Sequence, residues 1–207
     1  MKVKICGITS LEDAQAAVDA GADMLGFNFA DEAKSKSRYI DPDEARRIIA
    51  QLPEGVETVA VTVNEAPDRI RAYLEFVDCV QLHGEETPEA CTTIGDRAIK
   101  AFRVGPDFTP ASVLEYPVET VLLDAYVPGE RGGTGETCDW DTARATVAQG
   151  KALILAGGLT PENVADAVRA VQPYAVDAAG GVERAPGKKD HERVRRFIDS
   201  AKTSVSG

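Results

Sequence analysis

Short apolar runs and longer stretches of mixed polarity alternate along the whole chain. The apolar runs fall at residues 3–6, 24–27, 57–63, 79–82, 98–103, 120–123, 152–155 and 174–177. Each is four to seven residues long and almost wholly apolar in the middle, the signature of strands buried on both faces. The segments between them carry helix-start signals. Asp41-Pro42-Asp43-Glu44 offers an N-cap, a proline at the first helical position and a glutamate placed to close a capping box. Thr87-Pro88-Glu89, Thr109-Pro110 and Thr160-Pro161-Glu162 repeat the scheme, and Ser10-Leu11-Glu12-Asp13 does so without proline.

About eight strand–helix units, at roughly 25 residues each, predict an all-parallel sheet with helical crossovers. A closed (β/α)8 barrel and an open doubly wound sheet both fit this alternation. The number of units favours the α/β barrel, a TIM barrel, as one domain over residues 1–207. No linker-like or low-complexity stretch divides the chain.

In such a barrel the loops after the strands form the active face, and the unusual residues gather there. Cys6 ends the first strand and is followed at once by Gly7, which places a thiol at the strand lip. Asp124 ends the sixth strand and is the one residue expected to match it in position and reactivity, facing it across a pocket as acid to its base. Asp124 opens a long loop, 125–138, with the length of a lid or binding element. Trp140 is expected to pack beneath that loop. Gly157-Gly158 follow the seventh strand, and Ala179-Gly180-Gly181 follow the eighth. Paired glycines let backbone amides approach an anion, and a following helix start adds its dipole, so these loops predict a phosphate site at the ends of strands 7 and 8. Arg38, after the second strand, can offer a planar fork to a carboxylate, whereas Lys34 and Lys36 read as solvated. His83, at the end of the fourth strand, suits either a substrate oxygen or a structural hydrogen bond. His191 reads as a surface residue.

The 207 residues carry a formal net charge of −11, spread along the chain. Without clustered Lys and Arg, no nucleic-acid partner is expected. No apolar run approaches the roughly 20 residues that span a bilayer, so no membrane partner is expected either. A strand that begins within three residues leaves no room for a signal peptide, and a cytoplasmic location follows as an expectation. The four cysteines, Cys6, Cys79, Cys91 and Cys138, form no CxxC pair and no metal-like grouping with the two histidines, so free thiols and no metal are expected. Cys79 and Cys91 read as small hydrophobes, and Cys138 is open to either reading.

Taken together, the chain resembles the phosphoribosylanthranilate isomerases of tryptophan biosynthesis. The likeness rests on Lys4-Ile5-Cys6-Gly7-Ile8-Thr9, Gly26-Phe27 with Arg38-Tyr39-Ile40, and Val80-Gln81-Leu82-His83-Gly84. It continues through Leu123-Asp124, Gly132-Gly133-Thr134-Gly135, Leu155-Ala156-Gly157-Gly158-Leu159, and Gly181-Val182-Glu183 with Pro186-Gly187-Lys188-Lys189-Asp190. The resemblance implies an aldose–ketose isomerase that carries out an Amadori rearrangement without a cofactor. Its substrate would be a phosphosugar bearing an anthranilate group, and the enzyme a monomer or homodimer. It implies Asp124 as general acid, Cys6 as general base, Arg38 on the anthranilate carboxylate and the glycine loops on the phosphate. Two departures stand out. The family's Ser-Ser-Gly-Val-Glu run is Ala179-Gly180-Gly181-Val182-Glu183 here, and the usual Ser-Pro before the arginine is missing. The related aminoaldose isomerase of histidine biosynthesis is the alternative enzyme, but it uses carboxylates as both acid and base and needs two phosphate sites. A non-catalytic phosphosugar binder would be expected to lack Cys6 or Asp124.

Overall fold

The computed structural model describes residues 1–125 and 139–204. Eight parallel strands close into a barrel in sequence order. They are β1 (Lys2–Cys6), β2 (Met24–Asn28), β3 (Glu57–Thr62), β4 (Cys79–Leu82), β5 (Ala98–Val104), β6 (Thr120–Ala125), β7 (Ala152–Leu155) and β8 (Ala175–Ala178). Each lies within two residues of the run the apolar pattern predicts. The barrel, rather than the open sheet, is settled by the pairing of β1 with β8, which sets Lys4 opposite Asp177.

The helices α1 (Leu11–Asp19), α2 (Pro42–Ile49), α3 (Pro67–Tyr73), α4 (Pro88–Ile94), α5 (Trp140–Val147), α6 (Val164–Val171) and α7 (His191–Thr203) cover the outside. Ser10 and Thr87 cap their helices as expected, accepting from Asp13 N at 3.2 Å and Ala90 N at 3.4 Å. Asp41 caps α2 through Asp43 N at 3.0 Å. Glu44, placed to close a capping box, instead pairs with Arg47 one turn on, at 2.5 Å.

Two helix predictions need correcting. Thr109-Pro110 starts only a 3-10 turn, Pro110–Glu115, because Pro117 follows before an α-helix can establish itself. Thr160-Pro161 does not start α6. Asn163 Oδ1 accepts from Thr160 N at 2.8 Å and Asn163 Nδ2 donates to Gly158 O at 3.0 Å, and these bonds hold a turn until Val164.

Two apolar layers result. Val3, Ile5, Leu25, Phe27, Leu123 and Phe197, among others, fill the space between strands and helices. Met24, Val59, Ile99, Ala101, Leu122, Ile154, Ala156 and Ala175 fill the barrel itself. Side chains alternate along a strand, so the inward positions beyond this inner plug, towards the strand ends, carry the polar groups.

Candidate active site

Cys6 and Asp124 line one cavity of about 90 Å³ at the C-terminal end of the barrel, with Asn28, Arg38, Gln81, His83 and Asp177. The thiol and the carboxylate therefore border the same pocket. Gly26 lies opposite Cys6 in the strand register. A Cβ there would sit 2.7 Å from Cys6 Sγ and 3.1 Å from Lys4 Nζ, so only glycine leaves the niche that both groups occupy.

Asp124 is buried. Its Oδ1 accepts from Ala125 N at 2.9 Å, and its Oδ2 lies 3.5 Å from His83 Nε2 without an aligned hydrogen bond. His83 Nδ1 contacts Gln81 Nε2 at 2.8 Å. In the tautomer where Gln81 donates, the ring's other nitrogen presents its N–H towards Asp124. His83 thus belongs to the site, set beside the carboxylate.

The second cavity, of about 460 Å³, shares Arg38, Asp124, Asp177 and Ala179 with the first. Gly157, Gly158, Gly180, Gly181 and Arg184 also line it. Gly157 and Gly158 both take positive φ, 85° and 60°. A short 3-10 turn, Gly180–Val182, follows β8. The helix start expected straight after Gly157-Gly158 is not there, since α6 begins at Val164. Gly181 lies directly against the neighbouring loop, where a Cβ would stand 1.9 Å from Leu159 O. The five residues predicted for the phosphate therefore form one wall of one cavity.

Arg38 borders both cavities, but its fork is occupied. Nε and Nη2 donate to the Glu183 carboxylate at 2.9 Å and 2.8 Å. Glu183 also accepts from Lys189 Nζ at 3.0 Å. Lys189, fully buried, donates further to the carbonyls of Cys6 and Ala179 at 2.6 Å and 3.2 Å. Burial pushes the Glu183 carboxyl up, but Arg38 and Lys189 outweigh it and hold Glu183 below the ordinary range. Burial likewise lowers Lys189, against the pull of Glu183. These two residues form short strands, β9 (Glu183–Ala185) and β10 (Lys188–Lys189), paired antiparallel.

The Cys6 thiol is pushed up by burial first, opposed by the Lys4 ammonium, raised again by Asp177 and lowered by Lys189. Lys4, Asp177, Glu183, Lys189 and Arg184 are the site residues that sequence reasoning missed. Asp177 ends β8 much as Asp124 ends β6, so Asp124 is not alone in its position. For Lys4 the signal was a lysine two residues before Cys6 inside an apolar strand, which period-two alternation turns inward with the thiol.

The cysteines, His191 and Trp140 fall as follows. Among the described residues Cys6, Cys79 and Cys91 are free thiols, and Cys91 is buried against the core. Burial raises Cys79 to about 12, which makes it inert at neutral pH. His191 is half-buried rather than a plain surface residue, its Nε2 2.8 Å from Asp13 Oδ1, and it links α7 to α1. Trp140 begins α5 and packs against the outer core. The loop it was expected to underlie, Cys138 and the Gly132-Gly133-Thr134-Gly135 motif lie outside the described residues. Among the described residues no helix is long and apolar enough to cross a membrane, and no group of three or more His, Cys, Asp or Glu could hold a metal ion.

Residues 3–200 match the family model for N-(5'-phosphoribosyl)anthranilate (PRA) isomerase. The chain is 53% identical over 204 residues to the N-(5'-phosphoribosyl)anthranilate isomerase of Geobacter sulfurreducens, covering 98% of both chains. It superposes on the crystal structure of phosphoribosyl anthranilate isomerase from Thermus thermophilus with a TM-score of 0.88 at 39% identity, over 98% of this chain and 99% of that one. A third likeness is to a phosphoribosyl anthranilate isomerase in complex with reduced 1-(o-carboxyphenylamino)-1-deoxyribulose 5-phosphate, with a TM-score of 0.82, 40% identity and the same coverage. With a matching family model over nearly its whole length, relatives this similar and a closed barrel carrying thiol and carboxylate in one cavity, the chain belongs to the N-(5'-phosphoribosyl)anthranilate isomerase family, the aldose–ketose isomerases of tryptophan biosynthesis.

Proposed function

We propose that Cys6 and Asp124 are the base and acid of the isomerisation, and that the two glycine loops hold the substrate phosphate. The observation that carries this reading is the joining of two cavities: the one lined by Cys6 and Asp124 shares Arg38, Asp124, Asp177 and Ala179 with the one walled by Gly157, Gly158, Gly180 and Gly181. A phosphate seated at the glycine wall leaves the sugar extending towards the thiol and carboxylate.

Asp124 protonates the ribose ring oxygen, and the ring C–O bond breaks to give an open-chain Schiff base. That iminium withdraws electrons and acidifies the C–H bond on the neighbouring second ribose carbon. Cys6, as thiolate, takes that proton, and the C–H electron pair forms an enamine that tautomerises to the aminoketose. His83, beside the Asp124 carboxylate, orients it. Arg38, fixed by Glu183 at the junction of the cavities, faces the anthranilate carboxylate. Backbone amides at Ala179, Gly180 and Gly181 replace the serine hydroxyls of the family pattern, and Arg184 adds positive charge to the same wall. Nε and Nη2 stay with Glu183, so Arg38 meets the anthranilate carboxylate through its remaining Nη1 edge, and a guanidinium tied down in advance loses less freedom on binding.

The test is a fluorescence assay on freshly prepared phosphoribosylanthranilate. Cys6→Ser and Asp124→Asn should each lower kcat by about 10²–10⁴, with circular dichroism unchanged. Near-wild-type turnover in either variant removes that residue from its role.

A further inference from the structure

Lys4 is fully buried inside the barrel, where an ammonium is costly unless paired. Its Nζ lies 3.1 Å from Asp177 Oδ1 on the neighbouring strand. An ion pair alone would account for a structural lysine. Lys4, however, stands two residues before Cys6 on β1, so both side chains project inward, and both occupy the niche above Gly26. Cys6 Sγ and Lys4 Nζ lie 2.7 Å and 3.1 Å from the same point, where a Gly26 Cβ would stand, so the ammonium has a carboxylate on one side and the cavity's thiol close by on the other.

We propose that Lys4, held in place by Asp177, is the counter-cation of the Cys6 thiolate, and that Asp177 tempers that charge so the sulfur stays basic enough to remove a carbon-bound proton. This makes Lys4 and Asp177 positioning residues, and it rests on Cys6 being the base. During the step the proton passes from the second ribose carbon to Sγ, the C–H electron pair enters the enamine, and Lys4 keeps its own proton throughout. Complete neutralisation by an undivided ammonium would give a plentiful but weak base, and no cation at all would leave a protonated thiol.

Among the described residues, the other ionisable groups near Cys6 leave the role to Lys4; Glu32, from the turn after β2, borders the same cavity but adds a further carboxylate, not a cation. Lys189 reaches the Cys6 carbonyl rather than the sulfur, at 2.6 Å. Arg38, from the segment between β2 and α2, is engaged by Glu183. Asp124 and His83, from β6 and the end of β4, border the same cavity and face each other. From β2 only Gly26 and Asn28 approach, and neither ionises. The direction of each influence agrees: Lys4 lowers the thiol and Asp177 raises it.

The two residues therefore have opposite signatures, which a purely structural ion pair would not show. The experiment measures the rate of iodoacetamide alkylation of Cys6 against pH, read at the Cys6 peptide by mass spectrometry, in wild type, Lys4→Met, Asp177→Asn and the double variant. Lys4→Met should move the alkylation midpoint up by about one pH unit or more, and Asp177→Asn should move it down by a similar amount. The double variant should fall between them, and the acid limb of kcat/KM should follow each shift. Midpoints that stay put, or that move the same way in both single variants, overturn the proposal. Should Lys4→Met fail to fold, Asp177→Asn decides alone, and a midpoint that does not fall refutes it. An active Cys6→Ser enzyme would instead refute the base assignment, a separate result from any alkylation midpoint.

Discussion

Replacing Gly181 by alanine tests the geometry of the anion wall most severely. A Cβ at this position would lie 1.9 Å from Leu159 O, 2.9 Å from Leu159 C and 3.2 Å from Thr160 Cγ2. Ordinary contact begins at 3.4 Å, so the loops after β7 and β8 must separate by about 1.5 Å. Neither side yields easily. The obstruction is backbone, Leu159 is packed in the core, and Gly181 O is tied to α7 by Arg193 Nε and Nη2 at 3.1 Å and 2.9 Å. Overpacking of this kind costs about 1–3 kcal/mol. Amide hydrogen bonds are effective only near 2.9 Å, so a shift of this size takes amides on one loop out of reach of an anion held by the other. The expectation is a urea midpoint lowered in proportion, a rise in KM of at least about tenfold, and a matching loss of inhibition by inorganic phosphate. Unchanged stability would refute the contact between the loops. Lowered stability with KM and phosphate inhibition unchanged would refute the assignment of the phosphate to this wall.

Two further outcomes follow from the Arg38–Glu183–Lys189 network. Arg38→Ala should raise KM far more than it lowers kcat and should destabilise the fold by about 1.5–3 kcal/mol, the range for hydrogen bonds to charged groups; an unchanged KM would take Arg38 out of the site. Glu183 is held below its ordinary range, so its contribution is complete above the unfolded carboxyl value of about 4.3 and is lost as pH falls through the lower folded value. The stability difference between wild type and Glu183→Gln, from urea titrations, should therefore be constant from neutral pH to about 5 and shrink in more acidic solution; a difference independent of pH down to 3 would refute this.

The strands were legible because a strand buried on both faces must be apolar throughout its middle, as in Leu122-Leu123 and Leu153-Ile154-Leu155. Cys6 and Asp124 were legible because each interrupts such a run at its C-terminal end. For Lys4 only the inward direction was legible, from its spacing of two before Cys6; its partner Asp177 comes opposite it only when the barrel closes. The Arg38 fork was visible as a fork, but its engagement by Glu183 depends on a hairpin 145 residues away. The turn after Thr109 and the late start of α6 depend on Pro117 and on the Asn163 side chain, whose influence exceeds the generic helix-start signal at Thr-Pro.

The pairing of Lys4 with Asp177 also orders events during synthesis. The partners are 173 residues apart, and they meet only when β8 docks beside β1. Until then the lysine belongs to an incomplete sheet and stays hydrated, because its ion-pair partner Asp177 has not yet arrived. Contacts of such long range slow folding, and here the last barrel strand supplies the charge that lets the first strand be buried. A chain that stalls before residue 177 thus retains a solvated cation where its inner core should be, and it cannot prematurely assemble the thiol's surroundings.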